Sequence, residues 1–414
     1  MTVEPRDTAL PLDGVTVLDL SRVLAGPYAS QLLGDLGADV WKVERPGSGD
    51  ETRGWGPPFA AGESAYFLSV NRNKRSAALD FADATDQALV RAAAGCADVV
   101  IENFLPGALA RFGLDAAALR AANPALVVCS ITGYGQSGPY AALPGYDAVL
   151  QAICGVMSVN GSQESGAMRL GIPIVDHVTG YVAVTGILMA LHERARTGRG
   201  QRVEATLFDT GLSLLVPHAA NWLQSGRTPT RLGSAHPNIA PYDKFRAGDA
   251  EIFLGVGNDG QFRRLCDVLG EPALAHDPRF TTNASRVEHR AALRGALEAA
   301  LEAKDATALC EALMRAGVPA GVVNSVPEAL ALPHAAHRRM RVEDGAYRGV
   351  GSPMKLSHAA SVPVRRPPRF AEHTDAILGD LGCPHGEIAA LRDAGIVPAT
   401  RRTPTRPVPE EKTT

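Results

Sequence analysis

The first third of the chain alternates short apolar runs with helical segments, and this alternation restricts the fold more than any other feature. The runs typical of buried strands are VTVLDL (15–20), ADVWKVE (38–44), SAALDF (76–81), ADVVIEN (97–103) and LVVCSITG (126–133). Because strands that alternate with helices are joined by right-handed crossovers, they form a mostly parallel sheet with helices on both faces. The sequence therefore predicts an α/β fold with a Rossmann-like sheet.

A second, smaller domain is expected because 414 residues exceed what one compact core holds. After about residue 205 the regular alternation gives way to Gly- and Pro-rich stretches and helical runs. We place a smaller α/β domain at roughly 230–330 and expect a strand pair within RVEDGAYRGVGSPMKLS (341–357). The proline- and charge-rich tail, residues 396–414, is predicted to be disordered.

Charge and cysteine content exclude several classes of protein. The net charge of −3 argues against a nucleic-acid partner, which would require a basic face. The six cysteines are scattered without a C-x-x-C pair, so we expect no metal site and reduced thiols in a cytoplasmic protein. The chain begins without a secretory signal pattern, and GYVAVTGILMALHERA (180–195) is too short to span a bilayer, so we expect no membrane partner.

Gly255, Gly257 and Gly260 form a G-x-G-x-x-G pattern. In a dinucleotide-binding turn this pattern follows the first strand of a βαβ unit, and a second strand ends in an acid about 20 residues later. Here it lies outside the alternating region, and the following EPALAHDPRF has no strand character, so we discount an NAD-dependent oxidoreductase. Two readings stay open: a strand–helix corner that uses glycine for positive φ, and a loop that approaches a ligand.

Basic residues follow several of the predicted strands in an otherwise acidic chain. Arg45 follows the second strand, Arg111 comes after ENFLPGALA, and Arg72, Lys74 and Arg75 form a cluster at NRNKRS (71–76). The carboxyl ends of parallel strands are where open α/β sheets bind ligands, so these side chains suggest a site for a phosphate-bearing molecule. Taken alone, the cluster at 71–76 is better explained as a solvated surface turn, and it is the three groups of basic residues together that suggest the site.

Two aspartates stand near predicted helix starts. Asp147 begins a helical run, and Asp176 precedes the long apolar helix, with Pro173 before it and His177 after it. Asp176 has the position of an N-cap residue, the commonest role for such an aspartate. A carboxylate kept ionised at a helix N-terminus can also act as a covalent nucleophile. His177 is expected on the helix surface.

Several separate motifs, in this order, resemble the class III CoA-transferases of the formyl-CoA and carnitine CoA-transferase type. The resemblance covers about residues 11–395 and is carried by the following stretches: LDGVTVLDLSRVLAGPYASQLLGDLGADVWKVERPGSGDETRGWGPPF, NRNKRSAALD, VVIENFLPGALARFGLD, ITGYGQSGPYAALPGYDAVLQAICGVM, GIPIVDHVTGY, GRGQRVEATLFDTGL and GVGNDGQFRRLC.

The resemblance implies a Rossmann-like large domain, a smaller α/β domain and two chains threaded through each other as an interlocked homodimer. The expected segments are a large CoA-binding domain (1–205), a linker (206–230), a small domain with the glycine loop (231–332), a second linker (333–353) and a return to the large domain (354–395). The loop carrying Gly257 and Gly260 is expected to cover the active site of the partner subunit.

The resemblance also implies CoA transfer through a covalent aspartyl intermediate. Asp176 matches the nucleophile, and Asp147 matches a second acidic position beside it. No permanently bound cofactor is expected, since CoA and acyl-CoA are substrates, and the other substrate is a carboxylic acid. The residues expected to contact CoA are Leu24, Ala25, Arg45, Arg72, Arg75, Leu79, Asn103, Phe104, Leu105, Arg111 and Tyr146.

Departures from the family pattern bear on the substrate. Leu24 stands where the formyl-CoA member has glutamine, and the loop at 255–260 has fewer glycines, so formate and oxalate are disfavoured. GSAHPNIAPYDKF (233–245) resembles members that use succinyl-CoA and other dicarboxylates, which favours a dicarboxylate acceptor. Two alternatives remain: an α-methylacyl-CoA racemase, disfavoured because its histidine is replaced by Tyr146 and tyrosine is a poor base with a pKa near 10, and a non-catalytic CoA-binding paralogue.

Overall fold

The computed structural model describes residues 10–357 and 363–393, and their contacts separate two compact units. The first unit comprises the described residues up to Leu150, the segment Ile172–Gly211, and the described residues from His337 on; the second unit comprises Gln151–Gly171 and Leu212–Ala336. Residues 151–171 thus group with the second unit, although the sequence-based boundaries place them within 1–205. The tail predicted to be disordered, 396–414, lies outside the described residues.

The described residues contain the following strands: β1 (Thr16–Asp19), β2 (Asp39–Glu44), β3 (Phe59–Ala60), β4 (Glu63–Ser64), β5 (Lys74–Ala78), β6 (Val99–Glu102), β7 (Val127–Thr132), β8 (Arg202–Thr206), β9 (Tyr242–Ala247), β10 (Ala250–Gly255), β11 (Ala320–Val322), β12 (Arg341–Asp344) and β13 (Tyr347–Val350).

The helices in the same residues are α1 (Ala25–Gly34), α2 (Ala65–Ser69), α3 (Ala84–Cys96), α4 (Ala116–Ala122), α5 (Asp147–Ile153), α6 (Val156–Val159), α7 (Ile174–Thr197), α8 (Leu207–Ser213), α9 (His218–Ser225), α10 (Asp259–Leu269), α11 (Asn283–Glu288), α12 (Arg290–Leu301), α13 (Ala306–Arg315), α14 (Val326–Ala331), α15 (Pro333–His337), α16 (Thr374–Asp380) and α17 (His385–Asp393). Short 3₁₀ turns occur at Glu51–Gly54, Ala110–Phe112 and Pro272–His276.

A six-stranded parallel sheet forms the centre of the first unit. Its strands lie in the order β5-β2-β1-β6-β7-β8, and every neighbouring pair is parallel. This is the strand order of a Rossmann-type sheet. Successive strands are added on one side of β1 as far as β5 and on its other side from β6 to β8, so the order of winding reverses between β1 and β6. The prediction of an α/β fold with a parallel central sheet is confirmed. The sequence analysis did not identify β8 as a strand.

Helix α7 is longer than the sequence suggested. It runs for 24 residues and is long and apolar enough, by length and composition alone, to cross a membrane. The prediction that this segment is too short is therefore wrong. One face of α7 nevertheless packs against α1, β7 and β8, with Val175, Gly180, Ala183 and Ile187 buried, which is the packing of a core helix. Gly180 permits this approach, since a Cβ there would press on the Ala25 carbonyl.

The second unit contains a three-stranded antiparallel sheet in the order β11-β10-β9. Its core is formed by apolar side chains from the sheet and from α10, α12 and α13, among them Phe245, Leu254, Phe262, Leu297 and Leu313. The strand pair expected within 341–357 is present as the antiparallel hairpin β12–β13, which belongs to the first unit.

Candidate active site

Two adjoining cavities open in the first unit at the carboxyl ends of the parallel strands. The large cavity, of about 530 Å³, lies beyond β1, β2, β5 and β6, and the small cavity, of about 250 Å³, lies beyond β1, β6 and β7. Arg22, Glu51 and Phe104 line both, so the cavities adjoin each other at these residues. They lie where the strand order reverses, the position at which open α/β sheets bind ligands.

The large cavity is lined by four basic and four acidic side chains, and among them Arg22 pairs with Glu51 and Lys42 pairs with Asp50, whereas two arginines stand apart from these pairs. Arg45 follows β2 and Arg111 lies in a 3₁₀ turn, with its guanidinium 4.4 Å from the centre of the Phe112 ring. Neither arginine forms an ion pair with another described residue. Leu79 and Phe104 supply apolar surface to the same cavity. Two unpaired guanidinium groups beside apolar walls suit a phosphate-bearing nucleotide.

The small cavity contains Asp176, which lies in the first turn of α7 and is 8% exposed. Burial, followed by the charge of Asp147, raises the pKa of Asp176 to about 7. The carboxylate is therefore poorly solvated, and its protonated form persists to higher pH than that of an ordinary aspartate. A desolvated carboxylate at the wall of a cavity has the properties of a nucleophile that attacks an acyl group.

Asp147, rather than Asp176, caps α7. The N-cap position is Pro173, and the Asp147 Oδ2 accepts hydrogen bonds from the backbone N–H groups of Val175 (2.8 Å) and Asp176 (3.1 Å). The reading of Asp176 as an N-cap is thus wrong, because the acceptor comes from the start of α5. Asp176 therefore lines the small cavity without capping the helix, and Asp147 holds the backbone of Asp176 in place.

Two further side chains stand near this carboxylate pair. His177 is half-buried, and its ring meets the Tyr28 ring edge to face at 4.6 Å, so it is not the surface histidine that the sequence suggested. Burial lowers the pKa of His177. Burial and then the charges of Asp176 and Asp147 raise the pKa of Tyr66 above its ordinary value. Tyr66 therefore belongs to the electrostatic surroundings of the carboxylates, although the sequence analysis did not single it out.

Most of the other residues predicted to contact CoA line the small cavity. They are Leu24, Ala25, Asn103, Leu105 and Tyr146. The side-chain amide of Asn103, however, is already engaged by the main chain of Arg22: it accepts from the Arg22 N–H (2.9 Å) and donates to the Arg22 carbonyl (2.6 Å). Asn103 therefore contributes to the cavity wall by holding the main chain of Arg22 in place.

Arg72 and Arg75 do not line either cavity. Arg72 pairs with Asp35, and Arg75 pairs with Asp39 and Asp380. The physical reason is the position of β5, which begins at Lys74, so that both arginines lie at its amino-terminal end rather than after its carboxyl end. Nothing in this arrangement supports the expected contact with phosphate.

The glycine loop lies in the second unit. Asn258 is the N-cap of α10, its side chain accepting from the Gln261 N–H (2.9 Å), and Gln261 Oε1 in turn accepts from the Gly257 N–H (2.7 Å). Gly255, Gly257 and Gly260 all have φ outside the left-handed region. The reading that this corner needs glycine for positive φ is therefore wrong, whereas close approach to a ligand stays open.

Arg22 is the main residue of the cavities that the sequence analysis missed. Its guanidinium lies 5.3 Å from the centre of the Phe104 ring and 3.4 Å from Glu51, at the junction of the two cavities. Its place directly after the first strand, in LSRVLAG, was the available signal. No group of His, Cys, Asp and Glu that could hold a metal ion occurs within residues 10–357 and 363–393.

Comparison with known proteins identifies the family. The model of CoA-transferase family III matches residues 12–374. The succinate–glutarate CoA-transferase of Agrobacterium fabrum is 44% identical over 90% of this chain and 96% of its own. The human succinyl-CoA:glutarate CoA-transferase is 38% identical over 94% and 90%, respectively.

A solved structure supports the same family assignment. The CAIB/BAIF family protein from Brucella suis is 44% identical and superimposes with a TM-score of 0.81, covering 90% of this chain and 99% of that one. Its similarity extends over both units, and the match of the family model includes the strands, cavities and carboxylates described above. The chain belongs to CoA-transferase family III and is a CoA-transferase.

Proposed function

We propose that this enzyme transfers CoA from succinyl-CoA to a dicarboxylate of the glutarate class, with Asp176 as the covalent nucleophile. The observation that carries the proposal is the position of Asp176 at the wall of a small cavity that adjoins a larger cavity containing Arg45 and Arg111. The substrate pair is taken from the relatives that are 44% and 38% identical.

The first half of the reaction transfers CoA to the enzyme. The Asp176 carboxylate attacks the thioester carbonyl of succinyl-CoA, the C–S bond breaks, and a mixed anhydride and the CoA thiolate result. The thiolate then attacks the Asp176 carbonyl of the anhydride, which releases succinate and leaves an aspartyl-CoA thioester. The bond energy of the donor thioester is retained in the enzyme-bound acyl group, provided that water is excluded.

The second half transfers CoA to the acceptor. The acceptor carboxylate attacks the aspartyl thioester and expels the CoA thiolate, forming a second anhydride. The thiolate then attacks the acceptor carbonyl of that anhydride, which yields the new acyl-CoA and regenerates the Asp176 carboxylate. The nucleotide end of CoA is proposed to occupy the large cavity throughout, with its phosphates near Arg45 and Arg111.

We also propose that the enzyme acts as an interlocked homodimer in which the loop of one chain, with Gly257 and Gly260, covers the small cavity of its partner. This loop would exclude water from the aspartyl intermediates. Exposed apolar side chains on α7, namely Tyr181, Val182 and Met189, offer a surface for a second chain, because such side chains favour burial in an interface.

The experiment that tests the function is a donor and acceptor screen read by mass spectrometry. Purified enzyme is given succinyl-CoA with glutarate, other dicarboxylates, oxalate, formate or a monocarboxylate, and hydroxylamine is added during turnover. We expect new acyl-CoA from dicarboxylates and a hydroxamate on the peptide with Asp176, while the peptide with Asp147 stays unmodified. Turnover by the Asp176→Ala variant would contradict the assignment of the nucleophile.

The two alternatives give different results in the same experiment. A racemase would exchange the α-proton of a 2-methylacyl-CoA with deuterated solvent in the absence of any acceptor acid. A CoA-binding paralogue would bind CoA but form no acyl-CoA and no hydroxamate. Either result would replace the proposed transfer.

A further inference from the structure

The turn between β1 and α1 contains a strained residue at the wall of the small cavity. Val23 has φ +70°, in the left-handed region. A β-branched residue in this region is a genuine outlier, because its Cβ substituents crowd the backbone. Such strain persists only where the surrounding structure holds it.

Asp50 is one of the groups that hold the turn at Val23 in this conformation. Its Oδ1 lies 3.4 Å from the Val23 backbone nitrogen and also accepts from the Thr52 N–H (3.0 Å) and hydroxyl (2.8 Å). Its Oδ2 is 2.9 Å from the Lys42 ammonium, and both of these side chains are completely buried. Lys42 in turn donates to the Ser21 carbonyl at 2.9 Å. One buried ion pair therefore contacts the turn at two points, before and at the strained residue.

The opposite side of the turn is fixed as well. Asn103 forms both hydrogen bonds with the main chain of Arg22 described above. Gly26 follows closely, and a Cβ at that position would collide with the Ser21 side chain. The turn is thus enclosed by groups from β2, from the segment after β2 and from Asn103, which follows β6, and Val23 cannot relax without moving them.

The strained turn determines where α1 begins. Leu24 is the N-cap of α1 and has no side-chain capping bond, and both Leu24 and Ala25 line the small cavity with Asp176. A helix N-terminus that lacks a side-chain cap presents backbone N–H groups and a partial positive charge. Groups of this kind stabilise the oxyanion that forms when a carboxylate attacks a thioester.

We infer that Asp50 is a positioning residue: paired with Lys42, it holds the turn at Val23 so that the N-terminus of α1 faces the reacting carbonyl beside Asp176. The inference rests on the proposed function. It assigns to Asp50 an effect on kcat that acts through the backbone of residues 23–25, without contact between the Asp50 carboxylate and the reacting atoms.

The test is a set of variants assayed for CoA transfer from succinyl-CoA to glutarate. Asp50→Asn keeps the shape of the side chain but sets an amide against the Lys42 ammonium. We expect kcat to fall about 10- to 100-fold, as for a displacement of about 1 Å at a reacting group, while KM for succinyl-CoA changes by less than about threefold.

A second substitution distinguishes positioning from general destabilisation. Glycine adopts φ +70° without strain, so Asp50→Asn/Val23→Gly should recover at least about a third of the lost kcat. Asp50→Asn/Val23→Ala removes the same branched methyl groups but retains a Cβ, so it should not recover activity. Equal recovery by glycine and alanine would overturn the inference.

The matched control is Asp98→Asn. Asp98 accepts from the Thr16 N–H (2.8 Å) and pairs with Arg194 (2.9 Å) at the amino ends of β1 and β6, away from both cavities. We expect it to lower Tm but to leave kcat unchanged. Unchanged kcat in folded Asp50→Asn, or an equal loss in Asp98→Asn, would also overturn the inference. The wild-type assay tests the proposed function separately, because no transfer by wild-type enzyme would reject that function before any variant is compared.

Discussion

The pKa of one side chain, Asp176, connects the structure to the pH dependence of the reaction. The carboxylate must be ionised to attack, and burial with the charge of Asp147 raises its pKa to about 7. We therefore expect kcat/KM to rise with pH through an apparent pKa near 7. Asp147→Asn should move this acid limb to lower pH, because it removes the like charge and leaves an oxygen to cap α7.

The measurement is kcat/KM for succinyl-CoA against pH in wild type and Asp147→Asn. Phosphate groups of the substrate titrate in the same range, but they do so equally in both proteins, so the difference between the two profiles belongs to the enzyme. Because burial is the larger cause of the raised pKa, the limb should stay above the ordinary pKa of an aspartate. An acid limb at the same pH in both proteins would contradict the coupling of the two carboxylates.

The same carboxylate should reduce the stability of the free enzyme. A folded-state pKa raised from 3.8 to about 7 means that the folded state binds more protons than the unfolded state in this interval, so the unfolding free energy falls as pH rises through it. Asp176→Asn should therefore abolish transfer and raise the unfolding free energy at pH 8 by about 1–3 kcal/mol. Denaturant unfolding at pH 4 should show little difference, and a variant less stable at pH 8 would contradict this account.

The glycine loop before α10 is the element whose role can be separated most cleanly from folding. A Cβ on Gly257 would lie 3.4 Å from Gln261 Oε1, and one on Gly260 would lie 3.2 Å from Asn258 Oδ1, so alanine is nearly accommodated at both positions. We expect Gly257→Ala and Gly260→Ala to lower kcat by about tenfold or more if the loop approaches the acyl group. Tm should change by no more than about 2 °C.

Gly295→Ala in α12 is the control for this pair. Like Gly260, Gly295 lies in a helix of the second unit, and it has open space where a Cβ would be. It should slightly raise Tm and leave kcat unchanged, because alanine favours helix over glycine. A fall in kcat that is accompanied by a large fall in Tm in the loop variants would instead show that the glycines serve the structure of the corner.

The elements also show how far sequence reasoning reaches. Apolar runs located β1, β6 and β7, because strands buried on both faces are largely apolar, and β2 was located by Val40, Trp41 and Val43 although it also carries the buried Lys42 and Glu44. β8 was missed: its pattern RVEAT is polar, since it is an edge strand with exposed residues at its start. Arg72 and Arg75 were assigned to the ligand end of the sheet although they precede the strand predicted at 76–81, and since β5 begins at Lys74 they lie at its amino-terminal end, opposite the ligand end.

The residues of the candidate site were predictable where their role follows from their position beside a strand or helix in the sequence. They were not predictable where their role depends on contacts between segments that are distant in the chain. Asp176, Arg45 and Arg111 were found because each follows a strand or begins a helix. The capping of α7 by Asp147 and the ion pair of Asp50 with Lys42 join segments distant in the chain. Periodicity does not encode such pairings, and only the packed structure shows them.

At the scale of the whole molecule, the apolar face of α7 leads to a prediction about assembly. Met189 is 66% exposed and Val182 is 43% exposed, although both lie on a helix whose opposite face is buried in the first unit. A charge placed there should oppose burial in an interface. Because threaded chains do not separate at their surfaces, we expect Met189→Glu to lower the fraction of dimer, measured by light scattering, that is recovered after unfolding and refolding, whereas Ala92→Glu on the exposed face of α3 should not.

An interlocked dimer makes a stronger prediction than an ordinary one, namely that its subunits do not exchange. Two chains threaded through each other separate only after one of them opens, so the barrier to exchange is that of partial unfolding rather than of interface dissociation. Tagged and untagged dimers are mixed and analysed by native mass spectrometry over several days. We expect no mixed dimers under native conditions, and mixed dimers in the statistical proportion after joint unfolding and refolding. Mixed dimers that form within minutes under native conditions would show that the chains meet only at their surfaces.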